Sequence, residues 1–172
     1  MKHFLLFVPI IILFLFCSCD LDPSGPEMLG NEEHAIISTV LDSIIREQVP
    51  ETVDVYDMTS TATNCTSLHI AFQHDDVGSD SLIDHYNSAN NITYALDMDK
   101  LPDYVMLKDT DESDPYSGYY LFTCPGISND GEMAVVEYSS ISAPLSGCGM
   151  AALLEKRDGV WVMIWHEMIW IS

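Results

Sequence analysis

The sequence predicts an α+β fold in which an N-terminal amphipathic helix packs against a C-terminal antiparallel β-meander. Apolar residues recur at helical spacing from Ile36 to Ile45, and Pro50 ends this run. The C-terminal third instead contains four apolar runs separated by turn residues, at 119–122, 133–138, 150–154 and 160–171. A helix followed by such a meander indicates one domain over residues 31–172.

Local signals place the elements in order. Asn31 is predicted to cap the first helix, with Glu32 and Glu33 in its first turn. The opposite face of this helix has a single basic residue, Arg46, so its apolar stripe is predicted to face the core rather than a membrane surface.

The central part of the chain has weaker patterns. Apolar and polar residues alternate over 68–72, which predicts a strand. Ser79 or Asp80 is predicted to cap a short helix, and a short strand is expected at 104–107.

Turn residues divide the meander. Asp130-Gly131 and Asp158-Gly159 are typical of tight hairpins, because glycine accepts a positive φ, and Ser146-Gly147 marks the remaining bend. The last run, 160–171, is apolar on both faces if its residues alternate strictly, so this strand is expected to be covered on both sides.

The N-terminus has the pattern of an export signal. Lys2 precedes a thirteen-residue stretch, 4–16, that is apolar and too short to span a bilayer comfortably. The following Phe16-Cys17-Ser18-Cys19 resembles the lipobox of bacterial lipoproteins, in which a small residue precedes the lipidated cysteine. Residues 1–18 are therefore predicted to be a signal peptide and Cys19 the lipid acceptor. The alternative is an ordinary cleaved signal with incidental cysteines.

The stretch 19–30 is predicted to be the lipid anchor and a flexible tether, because it contains two prolines and two glycines without an apolar period. Asp20 resembles the inner-membrane retention signal of enteric-type bacteria, but other bacteria sort lipoproteins differently. The sequence therefore predicts the bacterial cell envelope and leaves open the inner or outer membrane.

The charge excludes two classes of partner. The chain has a formal net charge of −21, and Lys2 is the one basic residue in the signal peptide, so the mature chain carries −22. Such a surface repels nucleic-acid phosphate and anionic lipid headgroups, so no nucleic-acid partner is expected.

Several short motifs after residue 80 occur in a recognisable order. They are Leu82-Ile83-Asp84-x-Tyr86-x3-Asn90, Pro125-Gly126-Ile127-Ser128, Met133-Ala134-Val135-Val136, Pro144-Leu145-Ser146-Gly147-Cys148-Gly149, Leu154-Glu155-Lys156, Gly159-x-Trp161 and Trp170-Ile171-Ser172. Over residues 80–172 the chain thereby resembles a group of uncharacterised lipoproteins of Bacteroidetes-type bacteria, which implies an envelope lipoprotein but no site residues. The helix-plus-meander plan is also similar to cystatin-like and nuclear-transport-factor-like cones, an analogy of fold alone.

Three cysteines remain in the mature chain beyond the anchor: Cys65, Cys124 and Cys148. An exported protein permits one disulfide among three pairings. The pair Cys124–Cys148 is favoured, because both flank strands of the same meander.

Candidate catalytic and metal-binding residues are sparse. Cys148 lies between two glycines and could form a thiol–imidazole pair with His166, whereas the simpler interpretation is a turn cysteine and a core histidine. His69 and His74 would lie on opposite faces of a strand, so no metal site is predicted from them.

The acidic segment at 109–114 begins like a calcium loop, with Asp109-x-Asp111-x-Ser113. Asp114 occupies the position that requires glycine, and Tyr120 the position of the bidentate glutamate. A solvated charge run is therefore expected, with weak calcium association as the alternative, and no cofactor is predicted.

Two classes of function remain after these tests. The sequence favours a lipid-anchored envelope protein that acts as a non-catalytic binding or structural module for an envelope protein or another ligand. The alternative is a hydrolase-like envelope enzyme that uses Cys148 or His166.

Overall fold

The computed structural model describes residues 26–46, 51–61, 79–109, 118–143 and 146–172. Over these residues the predicted α+β class is confirmed, with two α-helices and one mixed, seven-stranded sheet. The helices are α1 (Asn31–Val40) and α2 (Asp80–Ala89). A π-helical turn (Leu41–Ile45) directly follows α1, and a 3₁₀ turn (Met98–Lys100) follows α2. The strands are β1 (Val53–Tyr56), β2 (Val105–Lys108), β3 (Tyr119–Phe122), β4 (Gly126–Ile127), β5 (Met133–Ala143), β6 (Ser146–Arg157) and β7 (Val160–Ile171).

The start of α1 differs from the prediction by one residue. Gly30, with extended backbone angles, is the N-cap, and Asn31 is the first helical residue. The Gly30 carbonyl accepts hydrogen bonds from His34 N at 3.2 Å and from His34 Nδ1 at 2.6 Å. Because the carbonyl and the histidine close this end, Asn31 is not needed as a cap.

The predicted tether is shorter than expected at its C-terminal end. Leu29 N donates to Ala95 O at 2.9 Å, Ala95 N donates to Glu27 O at 2.8 Å, and Leu29 is 2% exposed. Residues 27–30 therefore belong to the folded domain. Residues 1–25, including Cys19, lie outside the described part.

The strand order in the sheet is β2-β1-β3-β5-β6-β7, with β4 paired to β5. The predicted meander corresponds to the antiparallel neighbours β3, β5, β6 and β7. The predicted strand at 104–107 is β2. Strand β1 was not predicted, and it runs parallel to both β2 and β3. The strand expected at 68–72 lies outside the described residues.

The turn predictions are confirmed at two of three positions. Asp158 and Gly159 both have positive φ, 51° and 80°, and connect β6 to β7, as a two-residue hairpin requires. Asp130-Gly131 lies between β4 and β5, and Gly131 has φ 74°. Ser146 and Gly147, expected at a bend, instead pair with β5 as the first residues of β6.

The two helices contribute to separate apolar clusters. The cluster of α1 contains Ala134 and Val136 of β5, whereas the cluster of α2 contains Val135. Since consecutive strand residues point to opposite faces, the α1 cluster and the α2 cluster lie on opposite faces of the sheet.

Strand β7 forms one edge of the sheet, so the expected cover on both sides is only partly present among the described residues. Four of its large apolar side chains are exposed, namely Val160 (64%), Ile164 (41%), Met168 (51%) and Ile171 (76%).

Helix α2 is held tightly on its face. Ser79, one of the two residues predicted to cap it, is the N-cap, and its side chain accepts a hydrogen bond from Leu82 N at 3.3 Å. At the other end, buried Asn90 donates to Cys124 O at 2.7 Å and accepts from Cys124 N at 2.8 Å. The α2 face therefore has reciprocal polar bonds in addition to its apolar contacts.

Candidate functional site

A cavity of about 250 Å³ opens on the α1 face of the sheet, between the π-helical turn and strands β3, β5, β6 and β7. We call it the groove. It is lined by Ile44, Ile45, Tyr120, Tyr138, Ser140, Cys148, Met150, His166 and Met168. The two isoleucines come from the π-helical turn, and the other residues come from the sheet.

Cross-strand pairing arranges the floor of the groove in rows. Tyr120 pairs with Ser140, which pairs with Cys148. In the next row, Tyr138 pairs with Met150, which pairs with Met168. Paired residues point to the same face of the sheet, so these side chains project together beneath the π-helical turn.

Two β-bulges in β7 direct its side chains into the groove. Met163 pairs with Leu154 and Trp165 pairs with Leu153, so Ile164 between them has no partner on β6 and forms the first bulge. Ile169 forms the second bulge in the same way, between Met168 and Trp170. With strict alternation, His166 and Met168 would face away from Met163. The bulge at Ile164 reverses the alternation and turns both residues towards the groove.

The roof of the groove is also irregular. The α-helical hydrogen-bonding pattern of α1 changes to a π-helical one at Leu41–Ile45, the turn that supplies Ile44 and Ile45. Such π-helical turns are uncommon and are frequently found at functional sites.

The groove has apolar walls and neutral polar groups. None of its nine lining residues is an aspartate, glutamate, lysine or arginine. Burial, together with the neighbouring Tyr120 and Cys148, raises the pKa of Tyr138 far above its usual value, so its hydroxyl remains protonated at neutral pH. The groove therefore offers hydroxyl, thiol and imidazole groups without a permanent charge.

Cys148 and His166 both line the groove but do not form the thiol–imidazole pair that the enzyme alternative requires. Cys148 pairs with Ile171, whereas His166 pairs with Ala152, four residues further along β6. Four residues of strand separate them by roughly 13 Å, too far for a hydrogen bond between the side chains. His166 is also exposed, which contradicts its interpretation as a core histidine.

The predicted Cys124–Cys148 bridge is absent from the structure, in which both cysteines are free. The register explains this. Cys148 pairs with Ser140, while Cys124 follows Thr123, whose backbone N bonds Glu137 O. The two cysteines are therefore about four strand residues apart, roughly 13 Å, whereas a disulfide needs Cα atoms within about 7 Å.

A second cavity, of about 420 Å³, lies between the start of α2 and the turn before β5. Its lining includes Ser79, Ser128 and Asp130, but these groups stabilise local structure. Ser79 caps α2, and Ser128 donates to Asp130 Oδ1 at 2.6 Å while accepting from Met133 N at 2.9 Å. The bond from Ser128, with that from Glu132 N, lowers the pKa of Asp130. These polar groups are already engaged in the turns that they stabilise, which favours the groove as the candidate site.

Other residues that the sequence analysis considers lie outside the described part of the chain. These are Cys19, Cys65, His69, His74, Asp111, Ser113 and Asp114. Among the described residues no group of three or more histidine, cysteine or acidic side chains is arranged to hold a metal ion. No helix in the described ranges is long and apolar enough to cross a membrane.

The comparisons with known proteins add no relative. No family model, no curated protein and no solved structure matches this chain. The function must therefore be inferred from the groove and the sequence.

Most groove residues were missed by the sequence analysis. Ile44 and Ile45 were assigned to a core stripe, and Tyr120 was considered as a position in a calcium loop. Strict alternation places both His166 and Met168 on the face opposite Met163, because no sequence signal marks Ile164 as a bulge.

Proposed function

We propose that this chain is a lipid-anchored protein of the bacterial cell envelope that binds a small, largely apolar molecule in the groove. The observation that carries the proposal is the convergence of backbone irregularities on one cavity. The π-helical turn supplies the roof, and the bulge at Ile164 turns His166 and Met168 into the floor. Regular α1 and β7 elements would point different side chains at this space.

The proposal includes the predicted packing of α1 on the meander, which holds the roof in place. Glu32 of α1 accepts hydrogen bonds from Lys156 Nζ at 2.9 Å and from Trp161 Nε1 at 3.0 Å. The Lys156 bond, followed by the Trp161 bond, lowers the pKa of Glu32, so the carboxylate is favoured in this contact. Lys156 Nζ also lies 5.3 Å from the centre of the Trp161 ring.

The geometry favours binding over the hydrolase alternative. A thiol nucleophile requires a base within hydrogen-bond reach, and His166 is roughly 13 Å from Cys148 along the strand direction. A binding site requires only a shaped apolar surface with a few polar groups that orient the ligand, and the groove has both.

If the groove is a binding site, the binding of an apolar probe to it can be measured. The mature chain carrying Cys19→Ser is expected to bind the uncharged fluorescent probe N-phenylnaphthylamine, with an increase in probe fluorescence. Ser140→Phe is expected to reduce the affinity at least about tenfold, because the phenyl ring fills the floor of the groove. Bound probe is also expected to slow the reaction of Cys148 with a thiol reagent, measured by peptide mass mapping.

The matched control is Ser139→Phe, which places the same ring on the neighbouring residue and so on the opposite face of the sheet. It is expected to leave probe binding unchanged. Cys124 is an internal control, because burial, with a smaller effect of Glu33, raises the pKa of its thiol to about 12 and keeps it unreactive. Equal probe affinity in Ser140→Phe and Ser139→Phe, with both folded, would show that the groove is not the binding site.

The anchor is tested separately. Cys19→Ala is expected to abolish lipidation and to release the protein from membranes or leave its signal uncleaved, because Cys19 is the cysteine in the acceptor position. Fractionation and incorporation of labelled fatty acid measure the two effects. Cys17→Ala is the control and should retain the lipid. Incorporation of fatty acid into Cys19→Ala would refute the assignment.

A further inference from the structure

We propose that the natural ligand of the groove is a cationic amphiphile, a molecule with an apolar chain or ring and one amine. This inference rests on the proposed function and specifies its ligand. It follows from the charge of the whole molecule, the pairing of its basic side chains and the chemistry of the groove.

Every lysine and arginine of the mature chain is already paired with a carboxylate. The five pairs are Arg46–Asp42 at 3.8 Å, Lys100–Asp97 at 3.4 Å, Lys108–Asp54 at 3.2 Å, Lys156–Glu32 at 2.9 Å and Arg157–Glu155 at 2.7 Å. The carboxylate of an anionic ligand would therefore have to displace an internal partner to gain a lysine or arginine. An anionic amphiphile such as a fatty acid is disfavoured for this reason.

The remaining acidic residues create a field that attracts cations. The mature chain has 27 acidic side chains and a net charge of −22 once the signal peptide with Lys2 is removed. A surface of one sign raises the local concentration of ligands of the opposite sign and repels those of the same sign. An amine at the open mouth of the groove keeps contact with water and with this field, so it need not be fully desolvated.

The residues that line the groove can bind such a ligand although none of them is an aspartate or a glutamate. Ile44, Ile45, Met150 and Met168 provide the apolar contact for a chain or ring. Tyr120 and Tyr138 supply electron-rich rings and hydroxyl oxygens, both of which interact favourably with an ammonium group. Among the described residues of the lining, His166 is the only basic side chain, and it is neither a lysine nor an arginine.

The test compares three ligands that differ in charge but share an octyl chain: octylammonium, octanol and octanoate. Each displaces N-phenylnaphthylamine from the mature chain carrying Cys19→Ser, at about pH 8 and low ionic strength. Octylammonium is expected to bind at least about tenfold more tightly than octanoate, with octanol between them. The difference between the charged ligands should shrink at high salt, because screening weakens the field. Ser140→Phe should weaken octylammonium and octanol alike, which locates both in the groove.

The outcomes separate this inference from the proposed function. If octanol binds and Ser140→Phe abolishes its binding, but octylammonium has no advantage over octanoate, the groove is a binding site and the cationic ligand is wrong. If none of the three ligands binds or slows Cys148 labelling, the proposed function fails as well. An octylammonium advantage that is unaffected by Ser140→Phe would indicate adsorption to the acidic surface and would also overturn the inference.

Discussion

Replacing Glu137 with glutamine is expected to stabilise the folded protein by about 2–3 kcal/mol above pH 7 and to have little effect near pH 4.5. Glu137 lies on β5, pairs with Ala151 and is 3% exposed. Its Oε1 has no hydrogen-bond partner among the described residues. Burial raises the pKa of this carboxyl from 4.5 to about 7, and the nearby Tyr86 hydroxyl of α2 opposes the shift only in part.

The direction of the effect follows from the two states of the chain. Between pH 4.5 and about 7 the carboxyl ionises in the unfolded chain, while the folded protein keeps it protonated. The folded state then binds more protons than the unfolded state, so the free energy of unfolding falls as the pH rises through this window. Above about pH 7 the carboxyl is ionised in both states, so the free energy of unfolding decreases no further. Glutamine removes the titration, so the difference between variant and parent should grow over the same window.

Denaturant unfolding at a series of pH values measures this difference. Glu155→Gln is the control, because it makes the same chemical change on a half-exposed residue of β6 and removes an ion pair with Arg157. It is expected to lower the stability slightly, by less than about 1 kcal/mol. A difference between Glu137→Gln and the parent that stays constant from pH 4.5 to pH 8 would show that the buried carboxyl does not titrate as described.

A second large effect is expected at Gly126, where β4 crosses the backbone of α2. A Cβ at this position would overlap the Tyr86 main chain and come within 2.6 Å of its nitrogen. These neighbours are backbone atoms, which cannot rotate away as the end of a side chain can. Gly126→Ala is therefore expected to destabilise the protein by about 3 kcal/mol or more, either by displacing α2 or by breaking the pairing of β4 with β5.

The control for this substitution is Gly118→Ala. The nearest atom to its Cβ would be Ile141 O at 3.7 Å, an ordinary contact. This variant is expected to change the free energy of unfolding by less than about 0.5 kcal/mol. Equal stability of the two variants in denaturant would mean that α2 does not pack against Gly126 at the observed distance.

These two predictions concern the α2 face, which differs in character from the groove. On the α2 face, Gly126 allows close backbone contact, and Asn90 ties the end of the helix to Cys124. On the α1 face, the π-helical turn leaves a cavity above small or flexible floor residues such as Ser140 and Met150. Substitutions under α2 should therefore affect stability first, and substitutions in the groove should affect binding first.

The sequence by itself determined the elements that depend on neighbouring residues. Helix α1 follows from the spacing of apolar residues, α2 from its cap at Ser79, and the last hairpin from Asp158-Gly159, which adopts the positive φ angles that such a turn requires. Capping and turn formation are decided by backbone groups within a few residues, so the local sequence contains the information.

The tertiary structure decided the parallel position of β1, the cysteine separation and the groove. Strand β1 has four residues, and its pairing partners β2 and β3 lie roughly 50 and 65 residues away, so no local pattern specifies the contact. Strict alternation places His166 on the wrong face, because one extra residue at Ile164 reverses the side chains that follow it, up to the second bulge at Ile169. The physical reason is that strand register is selected by packing between distant residues, and the candidate site is formed where that packing departs from regular geometry.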